Sequence, residues 1–270
     1  MRHASNGIAM AVAALLAGAA GAAGPPSAPL SRCPVDAVMS GAACMDKYEA
    51  SVWRVPDPTT TNAALVRRIQ LGRATQADLM AGGATQLGTA SADYAPCTAN
   101  GQNCTNDIYA VSLPSVLPSA FITWFQAQEA CANAGKRLPT SAEWQVAANG
   151  TPDPGADNGM TDCNISGDGP GLSPTGARSS CVSARGAFDM VGNLAEWVAD
   201  WVPDSTNCPG WGGFSNDEMC LAGASTTANF PGALVRGGAF FFGPLAGPLA
   251  VRDMPPSSAS RIFIGFRCVR

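Results

Sequence analysis

The chain has 270 residues, with 16 Lys and Arg against 20 Asp and Glu and a formal charge of −4, long enough for one large domain or two small ones. Its basic residues are scattered, so the charge pattern gives nucleic acid no footprint. The single histidine is His3, which excludes serine–histidine hydrolysis and histidine-held zinc or iron from the rest of the chain.

In chain order, a short polar start with Arg2 precedes the small and apolar run Ile8–Ala20, and "AAGAAG" at 19–24 supplies small residues at cleavage-site spacing. This is the layout of a secretory signal peptide over 1–23, and the apolar run is shorter than the roughly 20 residues a membrane span needs. Export to the periplasm or the cell exterior is therefore expected, with no membrane span once the signal is removed. Ser31-Arg32 before Cys33 is not the small, apolar context of a lipid anchor. A flexible leader is expected over 24–43 and a folded domain over 44–270.

"CMDKYEASVW" (44–53) reads as a strand. Asn62 is placed to cap a short helix stopped by Gly72, and Thr75 with Asp78 to start another that ends at Gly82-Gly83. Residues 84–119 read as a long polar insertion. Ser119 is expected to cap a helix carrying Phe121, Trp124, Phe125, Gln128 and Cys131 at helical spacing, ended by Gly135. In "KRLPTSAEWQVAANG", Thr140 and Glu143 form a capping box and Trp144 and Ala147 mark the buried side. A loop rich in Gly, Asp, Asn and Ser follows over 151–185. Then "GAFDMVGNLAEWVADW" sets aromatic and aliphatic residues around a few acids, and "ALVRGG" and "IFIGFRCVR" read as closing strands.

The ten cysteines all follow the apolar segment, and in an exported chain they read as disulfides. Close spacing pairs Cys33 with Cys44, Cys97 with Cys104, Cys163 with Cys181 and Cys208 with Cys220. Cys131 and Cys268 remain to close a long loop, a link worth up to roughly 5 kcal/mol by chain entropy.

Four stretches, "KRLPTSAEWQVAANG", "GAFDMVGNLAEWVADW", "VRGG" and "IGFRCVR", occur in that order. Together they resemble the sulfatase-modifying-factor domain of the formylglycine-generating enzyme family, from about Cys44 to Arg270, with 84–119 least typical. The resemblance implies an α+β fold, an elaborated C-type-lectin-like one with little regular secondary structure. It also implies the Cys131–Cys268 link. At "D-x-x-G-N-x-x-E" it implies structural calcium held by the side chains of Asp189 and Glu196 and the carbonyls of Gly192 and Leu194, hard oxygen donors of the kind calcium takes. Read without it, Asp189 caps a turn and Glu196 pairs with an arginine. A second family calcium site begins at Asn164-Ile165, with Asp168 as a guess for a later ligand.

The family's oxidases bind copper(I) through two cysteines after "RGG", and the corresponding positions here hold Phe242 and Gly247. Neither offers the soft donor that copper(I) requires, so no copper is expected. What stands there is "RGGAFFFGPLAGP". If its backbone is extended, Phe240 and Phe242 point one way and Phe241 the other. The rings either fill the space left by the lost site or form an aromatic binding face, with Arg252 and Asp253 as further ligand contacts. The expected function is a module binding a protein or small-molecule ligand on a calcium- and disulfide-stabilised scaffold. The alternative is an oxidoreductase of the same family, of the formylglycine-generating or pyoverdine-maturation type, acting by a copper-independent route.

Overall fold

Strands β1 (Ala37–Ser40) and β2 (Ala43–Asp46) pair antiparallel across Gly41-Ala42, with Gly41 at φ 61°. They come from a computed structural model that describes residues 32–270 apart from 105, 154, 167–170, 212, 214, 225–230 and 255. The expected signal peptide and the first part of the leader lie outside the described residues. The later part of that leader contains β1. The carboxyl end closes on this hairpin: Cys44 and Arg270 exchange backbone hydrogen bonds, and Arg270 pairs with Asp36 at 3.0 Å.

The stretch read as one strand is broken after β2 and resumes as β3 (Ala50–Arg54). Buried Asp46 and Glu49 explain the break. Asp46 takes Lys136 at 2.8 Å, and Glu49 turns inward to accept from the Leu194 N–H at 2.9 Å. β3 lies between β4 (Thr85–Leu87) and β5 (Ile108–Ser112), antiparallel to both. Alternation sorts the two faces. Val52, Ile108 and Ala110 join the central core with helix α3 (Trp124–Asn133), while Trp53, Tyr109 and Val111 pack on α1 (Ala63–Gln70) and α2 (Gln76–Ala81).

A five-stranded sheet of β6 (Ala195–Pro203), β8 (Met219–Cys220), β10 (Pro231–Arg236), β11 (Val251–Met254) and β12 (Ile264–Phe266) runs in the order β12-β6-β10-β11-β8. Helix α4 (Ser141–Ala148) sends Trp144 and Ala147 onto one face, where Val198 and Leu234 also point. Strands β7 (Ser205–Asn207) and β9 (Ala222–Ala224) form a small outer pair.

Thr75 and Thr140 cap as expected. Two caps differ. Asn62 precedes α1 without capping it, because its amide bonds the carbonyls of Pro56 and Gly82 instead. Ser119 is buried between Val52 N–H and the Leu87 carbonyl, so the helix starts later, with a capping box at Thr123 and Gln126. All ten cysteines are paired, in the five links that spacing suggests, with Cys131–Cys268 tying α3 to the carboxyl end. The fold is α+β, disulfide-rich and sparing in regular structure. No helix among the described residues is long and apolar enough to cross a membrane.

Candidate functional site

The turn before β6 is built on left-handed backbone. Asp189, Gly192 and Asn193 have φ of 56°, 74° and 54°. Only glycine serves at 192, where a Cβ would run into the Asn164 carbonyl. Asn193 fastens the turn: its N–H donates to Asn164 O at 2.8 Å, its amide donates to Glu49, and its side-chain oxygen accepts from Ser173 N–H at 2.9 Å. Asp189 accepts from Gly176 N–H at 2.7 Å. Glu196 meets Arg267 through both oxygens, at 2.6 and 2.7 Å, and Trp144 Nε1 at 2.8 Å.

Thus both local roles read from the residues alone are present, the turn contact of Asp189 and the arginine pair of Glu196. The charge does not balance, however. Glu49, Asp189 and Glu196 are all buried, and Arg267 neutralises one of them. Burial, followed by the nearby charges of Asp189 and Glu196, pushes the Glu49 carboxyl well above its usual range. Burial likewise raises Asp189 to about 6. An excess of buried carboxylate beside hard carbonyl oxygens fits a calcium ion in charge and donor type. Asp189, Glu196 and the carbonyls of Gly192 and Leu194 are the groups that would hold it.

The second expected site does not fit. Asp157 and Arg178 form a buried pair at 2.9 Å, with side chains 1% and 5% exposed. The same guanidinium reaches Ser173 Oγ at 3.3 Å and Asn164 Oδ1 at 3.4 Å. The Ile165 carbonyl is taken by Gly243 N–H at 2.7 Å. The one buried carboxylate of this loop is balanced by Arg178, so the described residues leave no excess negative charge here for a cation. Asp168 lies outside the described residues.

Above these loops the phenylalanine run is a turn rather than a strand. Gly237, Gly238 and Gly243 all have positive φ, and Phe242 N–H donates back to Ala239 O at 2.9 Å. The rings therefore do not alternate. Phe241 meets Phe240, Phe242 and Phe263 edge-on at centroid distances of 5.0, 5.1 and 5.3 Å. Phe242 packs against the core, Phe241 is 45% exposed, and Phe240 is half-buried at the wall of a cavity of about 390 Å³.

Leu87, Leu117, Phe121, Leu172 and Ile262 supply most of the remaining apolar lining of that cavity, and Gln86 and Thr89 are its polar side chains. Sequence reasoning missed these. Most come from the polar insertion, and Phe121 was assigned to a helix face. The available signal was Leu87, an apolar residue among polar neighbours in the segment.

No thiol pair is hidden nearby. Phe242 is an apolar wedge, and a side chain at 247 would collide with the Asp217 carboxylate. Met254 is buried in the core. Arg252 and Asp253 do not join the rings. They line a separate polar cleft with Asp204 and Ser205, where Arg252 pairs with Glu218 at 2.8 Å and Asp253 accepts from Ser205 N–H. Cys208 and Cys220 lie near Glu218 there, but their sulfurs are spent on each other.

Residues 90–270 match the family model of the sulfatase-modifying factor enzyme 1-like domain. Among curated proteins, hercynine oxygenase of Mycolicibacterium smegmatis is 33% identical over 96 residues, covering 32% of this chain and 22% of that enzyme. The formylglycine-generating enzyme of Thermomonospora curvata is 33% identical over 103 residues, 31% of this chain and 33% of the other. The matches thus span between a fifth and a third of these relatives. Among solved structures, PvdO of Pseudomonas aeruginosa is 18% identical with a TM-score of 0.37, over 84% of this chain and 80% of that one. The Major Tropism Determinant U1 variant is 18% identical with a TM-score of 0.44, over 89% and 54%.

Proposed function

Because the chain belongs to the family of sulfatase-modifying factor enzyme 1-like domains, its departures from that family's chemistry carry information, and we propose that it is an exported binding module without copper oxidase chemistry. The observation that carries this reading is the exchange at one place in the fold. The positions matching the copper-binding cysteines hold a phenylalanine and a glycine against which no side chain fits, and every cysteine is committed to a disulfide. In the same place the chain builds an edge-to-face cluster of four phenylalanine rings beside an apolar cavity.

Copper(I) needs thiolate or thioether donors, and aromatic rings supply contact area instead. Each ring buried by a partner contributes roughly 1.5–3 kcal/mol. The scaffold beneath holds the rings still: Phe240 N–H donates to Asn193 O at 2.9 Å, and Gly243 N–H to Ile165 O at 2.7 Å. Calcium in the 189–196 turn would neutralise its excess carboxylate and stiffen the ledge on which Phe240 rests. Five disulfides suit export.

The test is to supply copper and a thiol-bearing peptide to the purified protein and follow the peptide by mass spectrometry. The reading predicts an unchanged thiol. Robust conversion to an aldehyde overturns it, and stoichiometric iron or copper in the native protein favours the oxidoreductase reading.

A further inference from the structure

The cavity beside Phe240 has a chemical bias. None of the described side chains lining it is charged: Leu87, Leu117, Phe121, Leu172, Phe240 and Ile262 form most of its walls, and the polar groups are Gln86, Thr89 and the backbone. Several of the nearby donors are spent inside the protein. Gly88 N–H, Thr89 N–H and Thr89 Oγ1 all donate to Asp93, Ala120 N–H donates to Gly88 O, Phe121 N–H to Arg261 O and Phe240 N–H to Asn193 O.

Gln86 sets the remaining polarity. Its amide nitrogen donates to Leu117 O at 2.7 Å. A carbonyl can only accept, so the amide nitrogen must face it, and the amide oxygen of this lining residue is left as a spare acceptor. Among the described residues no donor meets that oxygen. The cavity therefore offers acceptors and aromatic or aliphatic walls, without a countercharge.

Two further observations mark it as a built site. Phe121 sits in left-handed backbone at φ 54°, a conformation that costs a bulky residue about 1–3 kcal/mol and tends to persist where a site needs it. Its volume, about 390 Å³, lies within the range of roughly 300–1,000 Å³ that small-molecule sites occupy. Leu117 and Ile262 at its rim are 49% and 51% exposed, so the mouth is open and apolar.

We propose that this cavity binds an uncharged aromatic small molecule bearing one hydrogen-bond donor, with the ring against Phe121 and Phe240 and the donor on the Gln86 amide oxygen. This rests on the binding-module reading above. Among the described lining side chains an anion finds no cation and a buried cation finds no carboxylate.

Four probes separate the elements: indole, 1-methylindole without the donor, indole-3-acetate as anion and tryptamine as cation, each titrated into the full mature chain by NMR or calorimetry. Indole binds; 1-methylindole binds about 3- to 10-fold more weakly, the worth of one neutral hydrogen bond. The two charged probes bind at least about 10-fold more weakly, since a charge entering an apolar cavity is costly.

Gln86→Leu brings indole down to the level of 1-methylindole, and Phe240→Ala removes binding. Should Phe240→Ala fold poorly, Ile262→Asp at the exposed rim also weakens indole and leaves the core intact. Tryptamine or indole-3-acetate binding as well as indole overturns the ligand class. If no probe shifts the cavity resonances, the cavity proposal is overturned while the binding-module reading still stands on its own test; turnover of the thiol peptide overturns both.

Discussion

Two loops meet where Gly192 presses on the Asn164 carbonyl, and they solve one problem in opposite ways. Each buries carboxylate beneath the phenylalanine turn. In the 157–178 loop, Asp157 has Arg178 as a full partner, and the guanidinium also takes Asn164 and Ser173. In the 189–196 turn, Arg267 balances Glu196, and Glu49 with Asp189 are left in excess. A guanidinium supplied by the chain makes an added cation superfluous, whereas an unbalanced set invites one.

The largest expected effect comes from breaking the balanced loop. Arg178→Met strands a buried carboxylate, and denaturant unfolding should fall by about 3–5 kcal/mol, the usual cost of removing one member of a buried pair. The loss should not be recovered by adding calcium, because the remaining donors are Asp157 and neutral groups. Recovery would show that Arg178 and calcium compete for one place.

Next in size is the response of the unbalanced turn. Chelation should lower the melting temperature of the native protein by about 5–10 °C if calcium was held at a hundred times its Kd. Asp189→Asn keeps an acceptor for Gly176 N–H but removes the charge. Its melting temperature should ignore chelator and should not fall below that of the chelated native protein. A native melt unmoved by chelator would mean that the excess acid is settled by protons instead.

These contrasts define how much of the molecule was legible in its sequence. Local spacing carried the disulfides and two capping boxes, because each is a relation between residues close in the chain or a remainder once those are assigned, whereas the calcium reading of Asp189 and Glu196 came from the family resemblance. Arg178 was invisible as a partner of Asn164. It stands 14 residues away in a loop without periodicity, and only the fold brings its guanidinium inward. The cavity was missed for the same reason: Gln86 and Leu117 come from the insertion, and they reach Phe240 only through the β4–β3–β5 sheet and the turn at Phe121. The alternation expected of the phenylalanine rings was conditional on an extended backbone. The glycines on either side, at positive φ, make it turn.

A smaller effect lies outside both loops and serves as a control. Glu143 at the start of α4 is held down to about 2, chiefly by Arg137 and also by Thr140. A carboxyl lowered in the folded state contributes stability above its unfolded value near 4.5, and loses it as pH falls through about 2. Arg137 is half exposed, so screening leaves about 0.5–1 kcal/mol. Glu143→Gln should flatten the acid limb of the stability curve by that amount and leave the chelator response unchanged.

The most direct test is the metal content of the natively purified, undialysed protein, measured by elemental mass spectrometry. A single calcium per chain with neither copper nor iron is the predicted result, one ion for the unbalanced turn and none for the loop that Arg178 serves. Stoichiometric copper or iron, or a second calcium, would contradict it.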